Sequence, residues 1–258
     1  MPLPLKVIRN SHSIGWGGGC NQGAADSAAD YLLFLNSDTR LFPDTLATVT
    51  TFMDGDRSEG IGICGVQMVD QDGRPTISCS RFPTLGVLFG KMSGLNAVLP
   101  TLFPSHHLSA AETQESRPVD QVIGAFYFVR RELFTKLGGF DQRYFLYFED
   151  VDLALRARRE GAGTYFLKDA IVFHAENVST NQTRDLQVYH QLRSRTLFAS
   201  RYWSRSHVGL LVFLTFTVEF PARLIRAGLS RNRFAIFAIA RAYRWLLRDF
   251  ARSATGRS

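Results

Sequence analysis

Cysteine is scarce: Cys20, Cys64 and Cys79 are the only three in 258 residues, and they form neither a CxxC pair nor a zinc-ligand spacing. A disulfide-stapled scaffold is excluded, and free thiols in a reducing compartment are expected. The opening Met1-Pro-Leu-Pro-Leu-Lys-Val-Ile-Arg9 lacks a basic stretch followed by an apolar one, so no secretory leader is expected. The apolar run Val208–Val218 has 11 residues, too few for a bilayer span of about 20. No internal repeat is visible. Acid is nearly missing from residues 201–258, where 11 Arg face only Glu219 and Asp249. The chain's formal charge of +7 is therefore +9 in this tail and −2 in the first 200 residues. Nucleic acid and an anionic membrane surface both attract such a tail. The accompanying Tyr243, Trp245, Phe and Leu favour the membrane over nucleic acid.

What is present fits a folded enzyme-sized chain. Hydrophobic residues make up 45%, enough for a substantial core. Leu5–Arg9 reads as a short strand entering a glycine-rich loop, Gly15–Gly19, before a small-residue helix over Asn21–Ala29. Tyr31–Leu35 is a short apolar run between a helix and a turn, the pattern of a buried strand. Pro43-Asp44 opens a helix. Gly60–Val69 is a strand ending in the turn Asp70–Gly73. Residues 80–118, with the pair His106-His107, read as a long loop with some helix. Val122–Val129 is an apolar run, Arg131–Leu137 a short helix stopped by Gly138-Gly139, Val151–Glu160 a helix, and Thr164–Phe173 the last core strand. This alternation predicts an α/β layer fold, with a catalytic domain over residues 1–200 and a basic amphipathic helical tail over 201–258.

Three clusters carry chemistry. Asn36-Ser37-Asp38 follows a buried strand, where ligands of open α/β sheets bind. A carboxylate there can hold a divalent cation against a leaving diphosphate. Alone, the tripeptide reads as well as a capped turn. Glu149, Asp150 and Asp152 open a helix, where the dipole favours negative charge. The aromatic run Phe140–Phe148 before them would desolvate a carboxylate and make it a better base; as plain first-turn acids they need no function. His174 follows a strand, and a lone histidine is more often structural.

Taken in order, Leu35–Thr39, Gly124–Arg131, Gly138–Asp141, Phe145–Leu153 and His174 resemble family 2 glycosyltransferases, and within them the rhamnosyltransferase-like members that build bacterial cell-surface polysaccharides. The resemblance covers roughly residues 7–200. It implies a Rossmann-like mixed sheet of the nucleotide-diphospho-sugar transferase A type. It also implies inverting transfer of a sugar from a nucleotide-sugar donor, dTDP-rhamnose among the candidates, to a lipid-linked or polysaccharide acceptor. By position, Asn36 and Asp38 fall on a DxD-type motif, and Asp38 with His174 would hold Mg²⁺ or Mn²⁺. Asp150 falls on the general base, paired with Glu149. Gly15, Trp16, Gly17 and Asn21 fall on a donor-contacting loop, and Gly124, Arg130, Arg131 and Asp152 on the acceptor side.

Where family members begin with a strand, a helix and a second strand for the nucleotide base, this sequence starts at a later strand. A unit of about 30 residues or more is therefore expected to be absent. That keeps a second reading open, a catalytically impaired fragment serving as a membrane- or partner-binding module. A nucleotidyltransferase is less well matched, since Gly17–Gly19 has no suitably placed Lys or Arg. In the tail, Arg241, Arg244, Arg248 and Arg252 recur at helical spacing among Ile239, Tyr243, Leu246, Leu247 and Phe250. This predicts an interfacial helix holding the protein peripherally on the cytoplasmic face of the plasma membrane.

Overall fold

A computed structural model of the protein describes residues 5–175 and 184–254. Its centre is a six-stranded mixed sheet of β1 (Tyr31–Leu35), β7 (Phe126–Arg130), β3 (Ile61–Val69), β8 (Gly163–His174) and β2 (Thr39–Leu41) in that spatial order, with β5 (Arg117–Val119) beside the first half of β8. Only β3 and β8 run parallel; every other pairing is antiparallel. The central strands read as continuous apolar runs because both their faces are covered: Ile63, Val66, Met68, Phe126, Val129, Phe166 and Val172 are fully buried. One face packs under α6 (Glu149–Arg159) and α5 (Arg131–Lys136), the other under α2 (Thr45–Asp54). A two-stranded ribbon of β4 (Cys79–Ser80) and β6 (Gln121–Val122) closes the long loop onto the sheet. That loop carries α3 (Leu85–Ser93) and α4 (Leu95–Val98).

The first thirty residues depart from the sequence expectation. Residues 5–10 form no strand. The glycines lie inside a helix, α1 (Trp16–Ala24), rather than in a loop. At Gly17 and Gly18 smallness serves packing, since a Cβ would lie 3.0 Å from that of Phe140 and 3.3 Å from Ile14 Cγ1.

The C-terminal helices pack against the turn that opens α6. Helix α7 (Arg184–Tyr202) begins before the expected boundary at residue 200 and crosses it, touching both parts. Its Ser194 donates to the Leu146 carbonyl (2.8 Å), while Phe198 packs on Phe148. Beyond it, α8 (Arg205–Leu214) continues through a π-helical segment, Thr215–Glu219, into α9 (Phe220–Leu229). The 11-residue apolar run thus belongs to a continuous helix, Arg205–Leu229, of 25 residues, long and apolar enough by length and composition to cross a membrane. Part of it faces protein instead: Leu211 meets Leu88 and Met92 of α3. Helix α10 (Arg233–Ala254) returns along α7, burying Ile239, Tyr243 and Leu246. Tyr243 and Leu246, expected to line the lipid-facing surface of an interfacial helix, are core residues here.

Candidate active site

The chemistry gathers where β1 ends and β7 begins. The Asn36 amide donates to the Ala125 carbonyl (3.0 Å), which fixes the loop after β1 beside the strand opening β7. Trp16 reaches across from α1, its Nε1 donating to Asn36 Oδ1 (3.0 Å) and its ring set edge-on against Phe140. Gly15 makes this approach feasible. Its φ of 79° and ψ of 166° lie in a region open essentially to glycine alone, and a Cβ there would sit 2.4 Å from the Phe145 carbonyl oxygen.

The carboxylates arrive from the opposite wall. Tyr147 (φ 68°) and Phe148 (φ 70°) are consecutive non-glycine residues in the left-handed region, a strained arrangement that persists only where its surroundings enforce it. This turn delivers Glu149 and Asp150 as the first residues of α6. Asp150 Oδ2 accepts from the Gly124 amide (3.1 Å), and Oδ1 from the Val151 amide (2.8 Å). Burial pushes its pKa up, and the amide donors oppose the rise. Glu149 is raised more clearly, by burial first and by the Asp150 charge second. Its Oε2 is buried without a hydrogen-bond partner. Backbone donors at Tyr147 and Glu149 itself oppose the rise at Glu149, as those at Gly124 and Val151 do at Asp150.

Trp16, Asn36, Gly124, Glu149 and Asp150 line one end of a cavity of about 350 Å³. The other end is basic and polar: Lys91 from α3, His106 and His107 from the long loop, Arg195 from α7, Glu219 from the π segment and Arg223 from α9. Arg195 (2.7 Å) and Arg223 (2.7 Å) both donate to the buried Glu219. Burial lowers the pKa of His106 to about 3 and of His107 to about 4, so both rings are neutral around pH 7. None of these residues was singled out from sequence as a site residue. The adjacent histidines in a long loop and a lone acid in an apolar helix were the available signals.

Asp38 lies at the same end of the sheet, outside the cavity lining. β2 pairs with the end of β8, and this puts the Asp38 carboxylate 3.4 Å from His174 Nε2. The other ring nitrogen of His174 is buried without a hydrogen-bond partner. Among the described residues no group of three His, Cys, Asp or Glu gathers as a metal site. One carboxylate and one imidazole nevertheless suit a cation that takes its remaining ligands from a diphosphate and water.

Several expected site residues stand elsewhere. Arg130 pairs across from Tyr31, at the end of the sheet remote from Asn36. There it donates to the carbonyls of Ile61 (2.9 Å) and Met53 (2.7 Å) and to Ser58 (3.0 Å). Arg131 donates to the Ala29 carbonyl in the same region. Both arginines tie strand ends to loops and reach no acceptor side. Asp152 is fully buried, bonded to Arg156 (2.7 Å) and Tyr202 (2.6 Å), and so pins α6 to α7. Asn21 exchanges hydrogen bonds of 2.8 Å with the Phe140 backbone, and Gly17 packs against Phe140; they buttress Trp16 rather than line the cavity.

A mixed sheet with an acidic strand end, a helix-opening carboxylate pair and a cavity between them defines an A-type glycosyltransferase fold. The chain belongs to the glycosyltransferase like family 2, whose pattern covers residues 2–199. It is 31% identical over 159 residues to an N-acetylglucosaminyl-diphospho-decaprenol L-rhamnosyltransferase of Mycobacterium tuberculosis, a match covering 59% of this chain and 49% of that protein. It is 30% identical over 156 residues to the Escherichia coli rhamnosyltransferase WbbL, covering 60% and 54%. The chain thus spans about half the length of the curated relatives it matches. Among solved structures, GalNAc-T7 with UDP, GalNAc and Mn²⁺ superposes with a TM-score of 0.52 at 14% identity, over 77% of this chain and 36% of that one.

Proposed function

We propose that this chain carries the catalytic centre of an inverting glycosyltransferase. It would move a hexose, rhamnose first among the candidates, from a nucleotide sugar to a lipid-linked acceptor in cell-surface glycan synthesis. The observation that carries this reading is Asp150, a buried carboxylate held by the Gly124 amide in a cavity shared with Trp16 and Asn36. Asp150 takes the proton of an acceptor hydroxyl as that oxygen bonds to the anomeric carbon. The bond from the anomeric carbon to the donor diphosphate breaks, and its electron pair leaves with the nucleotide. Asp38 and His174 would hold Mg²⁺ or Mn²⁺, which when bound neutralises the diphosphate's charge. Tyr147, Phe148 and Trp16 wall the reacting end and keep water from competing with the acceptor. Support for the donor and acceptor classes comes from the names of the similar rhamnosyltransferases and from the nucleotide and Mn²⁺ in the GalNAc-T7 structure.

The test is a transfer assay on the full-length protein with a panel of nucleotide sugars, a prenyl-diphospho-sugar acceptor and either metal. The expected result is metal-dependent transfer from one donor that is lost in Asp150→Asn. Absence of turnover with every donor would return the protein to the reading of a non-catalytic binding module.

Peripheral attachment to an anionic membrane on the cytoplasmic side is part of the same proposal, on a surface different from the one the sequence pointed to. The hairpin between α9 and α10 exposes Leu229 (81%), Phe234 (90%) and Phe237 (67%). Arg226, Arg231 and Arg233 stand exposed among them. Apolar groups that leave water beside arginines that approach lipid phosphates suit an anionic bilayer surface.

A further inference from the structure

We infer that the basic end of the cavity, Lys91 with Arg195 and Arg223, is a binding site for the phosphate or diphosphate of a phosphorylated prenyl acceptor. This rests on the reading of the cavity as the place where acceptor meets Asp150, and it assigns the residues that recognise the acceptor's charged group.

Three cations line this end, from three separate helices, against the one carboxylate of Glu219. Glu219 is committed: Oε2 accepts from Arg195 (2.7 Å) and Oε1 from Arg223 (2.7 Å). Lys91 is exposed and lines the cavity, and its ammonium has no hydrogen bond or ion pair with any described residue. Arg195 Nε, Gln121 Oε1 and His106 Nδ1 are further polar atoms of the lining that are buried without partners. The protein around Lys91, together with Arg223 and Arg195, destabilises its charge and lowers its pKa. A bound dianion would relieve that repulsion. A compact point charge beside arginine forks is the donor set that phosphates take. The neutral histidines add hydrogen-bonding capacity without charge.

The helix that supplies Glu219 and Arg223 to the cavity also carries exposed apolar side chains. Glu219 and Arg223 face inward on the continuous helix Arg205–Leu229, and this helix exposes Leu210, Phe213, Ile225 and Leu229 on its outer surface. A prenyl chain whose anion sits in the cavity would find apolar cover on the outer face of this helix. The π-helical segment that ends in Glu219 is the kind of helix irregularity that recurs at functional sites. The donor's own diphosphate belongs to the opposite end, near Asn36 and Asp38.

The experiment is a titration of the metal-free protein with geranylgeranyl diphosphate, inorganic pyrophosphate, geranylgeraniol and UDP. Each is repeated on Lys91→Met and on Lys136→Met as a surface control. We expect the wild type and the control to bind the prenyl diphosphate and pyrophosphate. We expect Lys91→Met to weaken both by about 10- to 100-fold, the range of one hydrogen bond to a charged group. Geranylgeraniol should bind more weakly than its diphosphate and indifferently to the substitution. Tighter binding of the prenyl diphosphate than of pyrophosphate identifies the lipid as the source of the anion; equal binding overturns the lipid assignment. No binding, equal loss in the control, or full displacement by metal-free UDP overturns the site. Neither sugar nor metal is present. A protein that binds prenyl diphosphate through Lys91 but transfers no sugar would sink the catalytic reading and leave the anion site standing.

Discussion

Glu149 and Asp150 are chemically similar neighbours whose surroundings differ. Asp150 has two backbone donors for its anion, while Glu149 has a buried oxygen with none. Asp150→Asn is expected to lower kcat by ~10²–10⁴-fold, the usual worth of a general base, with the melting temperature little changed. Glu149→Gln mimics the protonated acid and is expected to keep kcat within about threefold. It also has a pH signature. The folded-state pKa of Glu149 is raised above its unfolded value, so its contribution to stability is complete below the unfolded pKa and is lost as pH climbs through the folded one. The variant should therefore gain in melting temperature over wild type as pH rises, and match it in acid. Thermal scans across pH, read beside kinetics, check both statements. Full activity in Asp150→Asn with loss in Glu149→Gln would move the base to Glu149.

Elements hold the site through two contacts that tolerate little change. The first is the meeting of the α1 start with the turn before α6, where the Trp16 amide donates to the Phe145 carbonyl (3.1 Å). Gly15→Ala puts a methyl into that carbonyl at a backbone conformation alanine avoids. Strain and overpacking together should cost about 2–4 kcal/mol. Denaturant unfolding measures the cost, and tryptophan fluorescence should report a displaced Trp16. The second is the buried triad that joins α7 to the helix running from α8 to α9. Glu219→Leu leaves Arg195 without its carboxylate in a buried position. The expected loss is about 3–5 kcal/mol. A loss below about 1 kcal/mol would mean that the helices are held by their apolar contacts alone.

At the scale of the whole molecule, the long apolar helix and the cavity are joined through α7: α10 packs along it, α8 and α9 pack beside it, and its Ser194 bonds the turn that opens α6. Docking the α9–α10 hairpin on a bilayer would hold the basic end of the cavity beside lipid. Co-sedimentation with anionic vesicles is expected to fall about 30-fold in affinity when Arg231 and Arg233 become Gln, at about 1 kcal/mol for each charge. It should weaken with salt as the Debye length shortens from about 8 Å. Phe234→Ser with Phe237→Ser should reduce binding to neutral and anionic vesicles alike. Equal binding of wild type to both vesicle types would remove the electrostatic part, and binding to neither would leave the tail as a packed helical appendage.

The sequence by itself determined the four longer strands of the sheet, the helix opening at Glu149-Asp150 and the family; it missed the short strands Thr39–Leu41 and Arg117–Val119 and expected one at Leu5–Arg9 that does not form. Tyr31–Leu35 and Ile61–Val69 are apolar runs bounded by turns, and at Ile61–Val69 the run is apolar throughout because both faces of a central strand need apolar cover. It marked Asp38, Asp150 and His174 as chemistry because strand ends and helix starts are where such groups reach ligands. It misjudged Gly17 and Gly18, since glycine demanded by a neighbour's side chain looks in sequence like glycine demanded by a loop. The resemblance put Arg130 and Arg131 with Gly124 on the acceptor side by position; the antiparallel pairing with β1 shows that they occupy the opposite end of β7 from Gly124. The face of α10 that periodicity offered to lipid became core, because amphipathicity records that a face is apolar and not what covers it. The basic end of the cavity was decided by tertiary structure alone. Lys91, Arg195 and Arg223 are far apart in the chain, and no spacing rule connects charges that meet only when three helices pack together.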